Sequence, residues 1–248
     1  MDNIKVEVCV DSIDSALTAQ SAGACRVEFC NNLSEGGTTP SIAQIEIARK
    51  LLQIKLYVII RPRGGDFLYN DLEFEVMKSD IRHCGKIGCD GVVIGMLHAD
   101  GSIDKIRCKE LIDIAHSYSM GVTFHRAFDR CRNLFEGMEE IIEMGCERIL
   151  TSGGKNTALE GASIIRQLVQ QAGKRIIIMS GAGITPENAA DIIQHTGSNE
   201  LHGTFRNHYP SKMTYKNTEL LHQEKEYTIS RSDFDKIKSI SIGEVEKK

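Results

Sequence analysis

Eight short runs of β-branched and apolar residues recur along the chain, at 4–10, 26–30, 56–61, 91–95, 121–125, 148–151, 175–180 and 200–204, with segments of helical period between them. Runs set about 30 residues apart cannot join as tight hairpins. Each connection has to carry a crossover helix, and consecutive strands then lie parallel. Eight such units without a long linker favour a closed (β/α)8 TIM barrel over an open doubly wound sheet, and the 248 residues suit a single barrel domain over 1–248. Helix boundary signals agree. Ser12 opens "SIDSALTAQSAG" and Gly23 closes it, while Thr185 as N-cap and Pro186 at the first helical position open a segment that ends before Gly197. The rhythm breaks at the polar stretch 206–230, which precedes a last helical pattern, "SRSDFDKIKSI". A connection of that length after the eighth strand belongs over the barrel mouth, closing it or touching another subunit, and the final helix closes the barrel.

Composition narrows the function. A net charge of −4 and a pI near 6.1 give no basic field for a nucleic-acid partner. No run of 18 apolar residues predicts a membrane span, and "MDNIKVEVCV" has no apolar leader region, so the cytoplasm is the expected location. The eight cysteines, with no CxxC among Cys25, Cys84, Cys89, Cys108, Cys131 and Cys146, then read as reduced, mostly buried thiols.

In a TIM barrel the chemistry sits at the C-terminal ends of the strands. Strands 1 and 2 repeat one pattern, Lys5-Val-Glu7-Val-Cys9 and Arg26-Val-Glu28-Phe-Cys30. Alternation sends Val6, Val8, Val27 and Phe29 to the helices and a base, a glutamate and a cysteine of each strand inward. Buried charge has to be compensated, so Lys5, Arg26 and Glu7 suit an interior ion layer, with Glu7 a further acid candidate, and Glu28 and Cys30 lie nearer the mouth. Strand 3 ends in "IIRPRGGDF". Arg61 and Arg63 are expected there as an anion site, completed by the amides of Gly64 and Gly65, with Asp66 orienting one guanidinium. Three strands then supply Lys5, Arg26, Arg61 and Arg63 against Glu7 and Glu28, leaving positive charge for a ligand unless acids on later strands also turn inward.

"VTFHRAFD" on strand 5 turns His125 inward as an acid or base, with Arg126 on the helix side beside Asp129. Strands 6, 7 and 8 end in "LTSGGKN", "MSGAGIT" and "HGTF". Thr151, Ser152, Gly181, Gly183 and His202 are the candidates there for a phosphate-type cup, and Lys155 stands on a loop.

"VEVCVDS", "RVEFC", "EGGTTPS", "IIRPRGGDF", "VTFHRAFD", "RILTSGG" and "KMTYKN" together resemble the CutC family of copper homeostasis proteins over essentially the whole chain. The resemblance implies a (β/α)8 barrel, a cytoplasmic homo-oligomer (dimer or tetramer), and handling of copper as Cu(I), with no organic cofactor. Two departures stand out: Val10 follows Cys9 where some members carry a second cysteine, and Gly203 follows His202 where a serine is frequent. Two functions are therefore expected in competition. In one, Cys9 and Cys30, on neighbouring strands, offer soft thiolates to Cu(I). In the other, an isomerase, lyase or hydrolase holds a small anionic or phosphorylated metabolite on Arg61 and Arg63, with Glu28 and His125 exchanging protons.

Overall fold

The structure, a computed structural model, describes residues 4–217, 219 and 226–241. Eight parallel strands, β1 (Lys5–Val10), β2 (Arg26–Phe29), β3 (Lys55–Ile59), β4 (Gly91–Ile94), β5 (Gly121–Phe124), β6 (Arg148–Thr151), β7 (Ile177–Gly181) and β8 (Glu200–Gly203), close into one barrel. Closure is made by β8 pairing with β1, where Lys5 stands opposite Glu200 and Glu7 opposite His202. The helices alternate with them as expected: α1 (Ile13–Ser21), α2 (Ile42–Leu51), α3 (Asp71–Ile87), α4 (Lys105–Ser117), α5 (Leu134–Met144), α6 (Ala162–Ala172), α7 (Ala189–Thr196) and, after β8, α8 (Phe234–Ser241).

Local chemistry fixes the helix ends. Ser12 accepts from the Ser15 amide, Ser41 with Gln44 and Asn70 with Glu73 form capping boxes, and Gly88 and Gly197 close helices in the left-handed conformation. One boundary differs from the expectation. Thr185 and Pro186 form a preceding turn, tied by the Asn188 and Ala189 amides to the Thr185 carbonyl, and α7 starts at Ala189. Val6, Val8, Val27 and Phe29 do face outward, packing with Ala16, Ala19 and Ile45 in the shell between strands and helices.

The barrel interior is polar in its lower half. Arg26 bonds Glu7 at short range and Glu200 at 2.8 Å, Arg148 bonds Glu200 at 2.6 Å, and both guanidiniums lie over the Tyr57 ring, at 5.1 and 5.9 Å from its centre. Tyr57 itself donates to Glu147. The ring lies across the barrel because β4 and β5 present glycines to it: a Cβ at Gly91 or Gly121 would overlap Tyr57. The partners of the buried ions thus differ from those expected. Arg148 and Glu200 complete the layer, the strand-3 arginines take no part in it, and Lys5, with a side chain 58% exposed, only approaches Glu200 from the rim, at 3.9 Å.

The stretch after β8 also differs from a plain loop. Arg206–Pro210 and Thr228–Ser232 form an antiparallel hairpin, β9 and β10. It leans on α1, where the Ser232 amide donates to the Ser15 hydroxyl, and α8 then docks against α1 and β1. Residues 218 and 220–225 of the expected loop lie outside the described residues.

Burial alone would raise the Glu7 and Glu200 carboxyls, but Arg26 and His202 at Glu7, and Arg148 and Arg26 at Glu200, hold both below the usual carboxylate range. Folded values below the unfolded value of about 4.3 mean that this stabilisation is fully present above that pH, declines as the pH falls below it, and is lost once the pH passes the folded values. Two outcomes follow, both measured by denaturant unfolding. Stability should fall steeply below about pH 4.5. Glu200→Leu, which leaves two buried guanidiniums short of a partner, should cost about 3–5 kcal/mol at neutral pH, and Lys5→Leu less than about 1.

Candidate functional site at the barrel mouth

At the C-terminal ends of the strands lies a cavity of about 340 Å³, whose lining includes Cys9, Glu28, Arg61, His125, His202 and Arg206. Ala182 to Ile184, after β7, and Gly203 and Thr204, at the end of β8, complete this part of the lining. A larger cavity of about 750 Å³ lies beside it, over the connections that follow β3, β4 and β5, and the two share Gly36, Arg61, Phe67 and Arg126.

The floor of the smaller cavity is a thiol, carboxyl and imidazole cluster. Parallel register sets Cys9 opposite Glu28, and Cys30 one step higher on the same inner face. The two sulfurs are 3.5 Å apart. His202, brought alongside by β8, donates from Nδ1 to Glu7 at 2.7 Å and places Nε2 3.6 Å from Glu28. The cluster divides its protons unevenly. The hydrogen bond from Cys30, against the cost of burial and with His202 adding its charge, lowers the Cys9 thiol to about 5. Burial, and then the neighbouring Cys9, push Cys30 and Glu28 well above their usual values. Burial opposes a charged imidazole, but hydrogen bonds to Cys9 and Glu7 and the charges of Glu28 and Glu7 raise His202 well above its usual value. At neutral pH this favours a Cys9 thiolate beside a His202 imidazolium, with Cys30 held as the thiol and the Glu28 carboxyl shifted toward its protonated form. Cys9, Glu28 and Cys30 have ligand atoms all within 4.8 Å of one another, a spacing that can hold a metal ion.

The two strand-3 arginines part company. β3 ends at Ile59, so side-chain alternation no longer governs them. Arg61 is buried in the mouth and binds three main-chain carbonyls, of Glu35, Gly37 and Gly65, at 2.7–2.8 Å. Arg63 turns away, pairing with Asp66 at 3.0 Å and Glu73 at 2.6 Å, and it lines neither cavity. The expected Arg61 and Arg63 pair is thus not assembled, because two nearby acids capture Arg63. Gly64 packs against the Glu35 side chain, and Gly65 offers its carbonyl to Arg61.

His125 stands at the mouth, in space left by Gly95. Burial, and then Arg61, lower it to about 3, so it stays neutral through the physiological range and does not titrate there as expected. Its Nδ1 accepts from the Ala127 amide at 3.1 Å. Arg126 pairs with Asp129 as expected, at 2.8 Å, but it lines both cavities and does not face the helices.

The polar atoms after β6 are already occupied. The Asp129 carboxylate accepts from Thr151 Oγ1 (2.5 Å), Ser152 Oγ (3.0 Å) and the amides of Ser152 (3.0 Å) and Gly154 (3.0 Å). An internal anion therefore fills the cup that Thr151 and Ser152 were expected to offer a ligand. After β7, Gly181 gives way to Leu150 and His202, while Gly183, with φ of +71°, lines the small cavity. Sequence reasoning missed Arg206, which reaches the cavity from β9 and pairs with Asp11 at 3.0 Å. It also missed Arg148, Glu200 and the role of Asp129. Inward alternation on strands 6 and 8 would have signalled the first two.

Similarity to known proteins agrees with this geometry. The sequence profile described as the CutC family matches residues 4–207. A CutC family protein of Vibrio vulnificus is 49% identical over 211 residues, 85% of this chain and 84% of that one. The copper homeostasis protein cutC homolog of Homo sapiens is 43% identical over 240 residues, 95% of this chain and 87% of that one. The crystal structure of the putative copper homeostasis protein CutC from Streptococcus agalactiae superimposes with a TM-score of 0.77 at 36% identity, covering 81% of this chain and 98% of that chain. A phosphoribosyl anthranilate isomerase from Thermotoga maritima, at 13% identity and a TM-score of 0.58, shares the barrel fold alone. With the family profile spanning residues 4–207 and relatives this similar along nearly their whole length, this chain belongs to the CutC family.

Proposed function

We propose that the protein is a cytoplasmic copper homeostasis protein that binds Cu(I) through Cys9 and Cys30. The observation that carries this reading is the sulfur pair 3.5 Å apart on the cavity floor, with Cys9 poised as a thiolate. Thiolate is the soft ligand that Cu(I) prefers, and all eight cysteines are free. Glu28, whose carboxyl is pushed well above its usual value by burial and then by Cys9, is a weaker partner for a hard oxygen-seeking cation than an ordinary carboxylate, so the site favours a soft monovalent ion. A linear sulfur–metal–sulfur arrangement needs nearly twice a metal–sulfur bond of about 2.3 Å, so an arriving ion turns one thiol aside. His202 and Glu7 then act as supports, fixing the charge next to Cys9 rather than ligating. A homo-oligomer belongs to the same reading. The exposed Tyr209, Met213, Tyr215 and Ile229, on or beside a two-stranded hairpin too small to be stable alone, support it.

Relatives named for copper homeostasis support the assignment of this role to the chain. The acid and base roles expected of Glu28 and His125 gain no comparable support, since His125 does not titrate near neutrality.

The double variant Cys9→Ser, Cys30→Ser should fold normally and lose stoichiometric Cu(I) binding in competition with a chromogenic Cu(I) chelator; undiminished affinity would reject the site. Protonation gives a second expectation. With Cys9 already ionised and Cys30 still a thiol, Cu(I) uptake at neutral pH should release about one proton, and affinity should rise about tenfold per pH unit between about pH 6 and 8. Proton release measured in weakly buffered solution checks it, and a pH-independent affinity would mean that Cys30 is not a ligand.

A further inference from the structure

The small cavity is lined by two side chains that each bury a nitrogen with nothing to bond. Among the described residues five buried side-chain polar atoms lack a partner, and two of them are Arg61 Nε and His125 Nε2. Both residues are almost wholly enclosed, 3% and 4% exposed. Buried donors are normally satisfied, so two unsatisfied ones beside the same cavity point to a missing acceptor.

The hydrogen-bond inventory shows what kind of acceptor. A guanidinium has five N–H groups. In Arg61, Nη1 donates to the Glu35 and Gly37 carbonyls and Nη2 to the Gly65 carbonyl, which leaves Nε–H and one hydrogen on Nη2. Adjacent donors of this kind are what a carboxylate takes side-on. In His125, Nδ1 accepts the Ala127 amide, so the ring carries its proton on Nε2 and is a donor there. No carboxylate among the described residues forms an ion pair with Arg61. Several acids around the mouth are spoken for, Asp66 and Glu73 by Arg63, Asp129 by Arg126, Asp11 by Arg206, and Glu7 by His202, while Glu28 lies 3.6 Å from His202 and Glu35 lines the larger cavity, neither in an ion pair with Arg61. The Tyr69 hydroxyl lies close enough to Arg61 to feel its charge and a weak polar contact, but it makes no hydrogen bond of normal geometry and, being neutral, offers Arg61 no counter-charge. The Arg61 guanidinium therefore has no carboxylate partner of its own among the described residues. Phe67 packs over both groups, with its ring centre 5.0 Å from the Arg61 guanidinium carbon and 4.9 Å from the His125 ring, and it lines both cavities.

We infer that Arg61 and His125 form a binding site for the carboxylate of a small monoanionic organic ligand, which the cavity then holds against Cys9, Glu28 and His202. A planar carboxylate fits better than a phosphate for two reasons. The free donors are one guanidinium edge and one imidazole N–H, carrying a single charge between them. The hydroxyls and amides after β6 that would surround a tetrahedral anion are already consumed by Asp129. His125 serves here as a neutral hydrogen-bond donor that fixes the ligand's orientation. Both nitrogens are buried, so entry of the carboxylate requires side chains around them to shift, and the Phe67 ring, packed against both residues, is the nearest apolar group able to do so. The inference does not depend on copper, because none of these atoms is a sulfur ligand.

The test uses the full chain, with sodium acetate and sodium pyruvate as probes against sodium chloride and inorganic phosphate at equal ionic strength, read by thermal shift and titration calorimetry. At least one carboxylate should raise the melting temperature of the wild type by several degrees beyond chloride. His125→Leu should weaken that binding about tenfold or more, while His125→Gln, which restores an N–H donor, should recover most of it. Arg61→Lys should also lose binding, but Arg61 ties down three carbonyls, so the His125 pair decides the matter if that variant fails to fold. Cys30→Ser alone, which removes a proposed copper ligand outside the lining of this cavity, should keep carboxylate binding while losing stoichiometric Cu(I), which separates this inference from the copper site. No stabilisation by either carboxylate beyond chloride, or unchanged binding in His125→Leu, overturns the proposal. Tighter binding of phosphate than of both carboxylates overturns the assignment of the ligand class.

Discussion

The buried charge layer of Glu7, Arg26, Arg148 and Glu200 governs much of what lies above it. Two guanidiniums and two carboxylates inside a barrel carry a large desolvation cost, which is offset only when every charge finds an opposite partner in good geometry. Here Glu200 receives both arginines and Glu7 takes Arg26. The remaining oxygen of Glu7 is left to His202, one level nearer the mouth. The ion layer thereby passes charge upward: His202 is held as a cation, and that cation favours the thiolate of Cys9. A sulfur site on the floor of the cavity is thus an outcome of how the interior charges are balanced further down.

The mouth separates into two halves with different electrostatic character. On the β1, β2 and β8 side, the Cys9 and Cys30 sulfurs, the His202 imidazole and the Glu7 and Glu28 carboxyls share a compact network in which each group has a neighbour of suitable chemistry. On the β3 and β5 side, Arg61 and His125 have main-chain partners for some of their atoms and none for others. Asp129, sealed under Thr151, Ser152 and Gly154, removes the β6 turn from competition for ligands. Where a typical barrel of this class leaves an anion cup near its last strands, this one spends a comparable set of donors on its own side chain.

Legibility in the sequence followed distance along the chain. Cys9, Glu28 and His202 are readable as mouth residues because alternation within a strand and position at its C-terminal end place a side chain without reference to other strands, and Arg61 and His125, one or two residues beyond their strands, continue far enough in the same direction to reach the mouth. Arg63 and Arg126 were misplaced for a related reason. Both lie beyond the ends of their strands beside acids of the following turn, Asp66 and Glu73 for Arg63 and Asp129 for Arg126, and those ion pairs, not alternation, set their direction. The hairpin of β9 and β10 was hidden because its strands are polar and are separated by 17 residues, from 211 to 227, too far for a turn signal to announce them.

The sequence by itself determined the barrel, since eight apolar runs at crossover spacing admit few other ways to bury their faces, and the family-like motifs at the strand ends marked the mouth. Which charges pair was decided only by the closed tertiary structure. Arg26 meets Glu200 across 174 positions of sequence and His202 meets Glu7 across 195. Such contacts exist because β8 returns to lie beside β1. Burial then multiplies the strength of each pairing, so groups that look alike in sequence, Cys9 and Cys30 or His125 and His202, are driven to opposite protonation states by partners that no local pattern reveals.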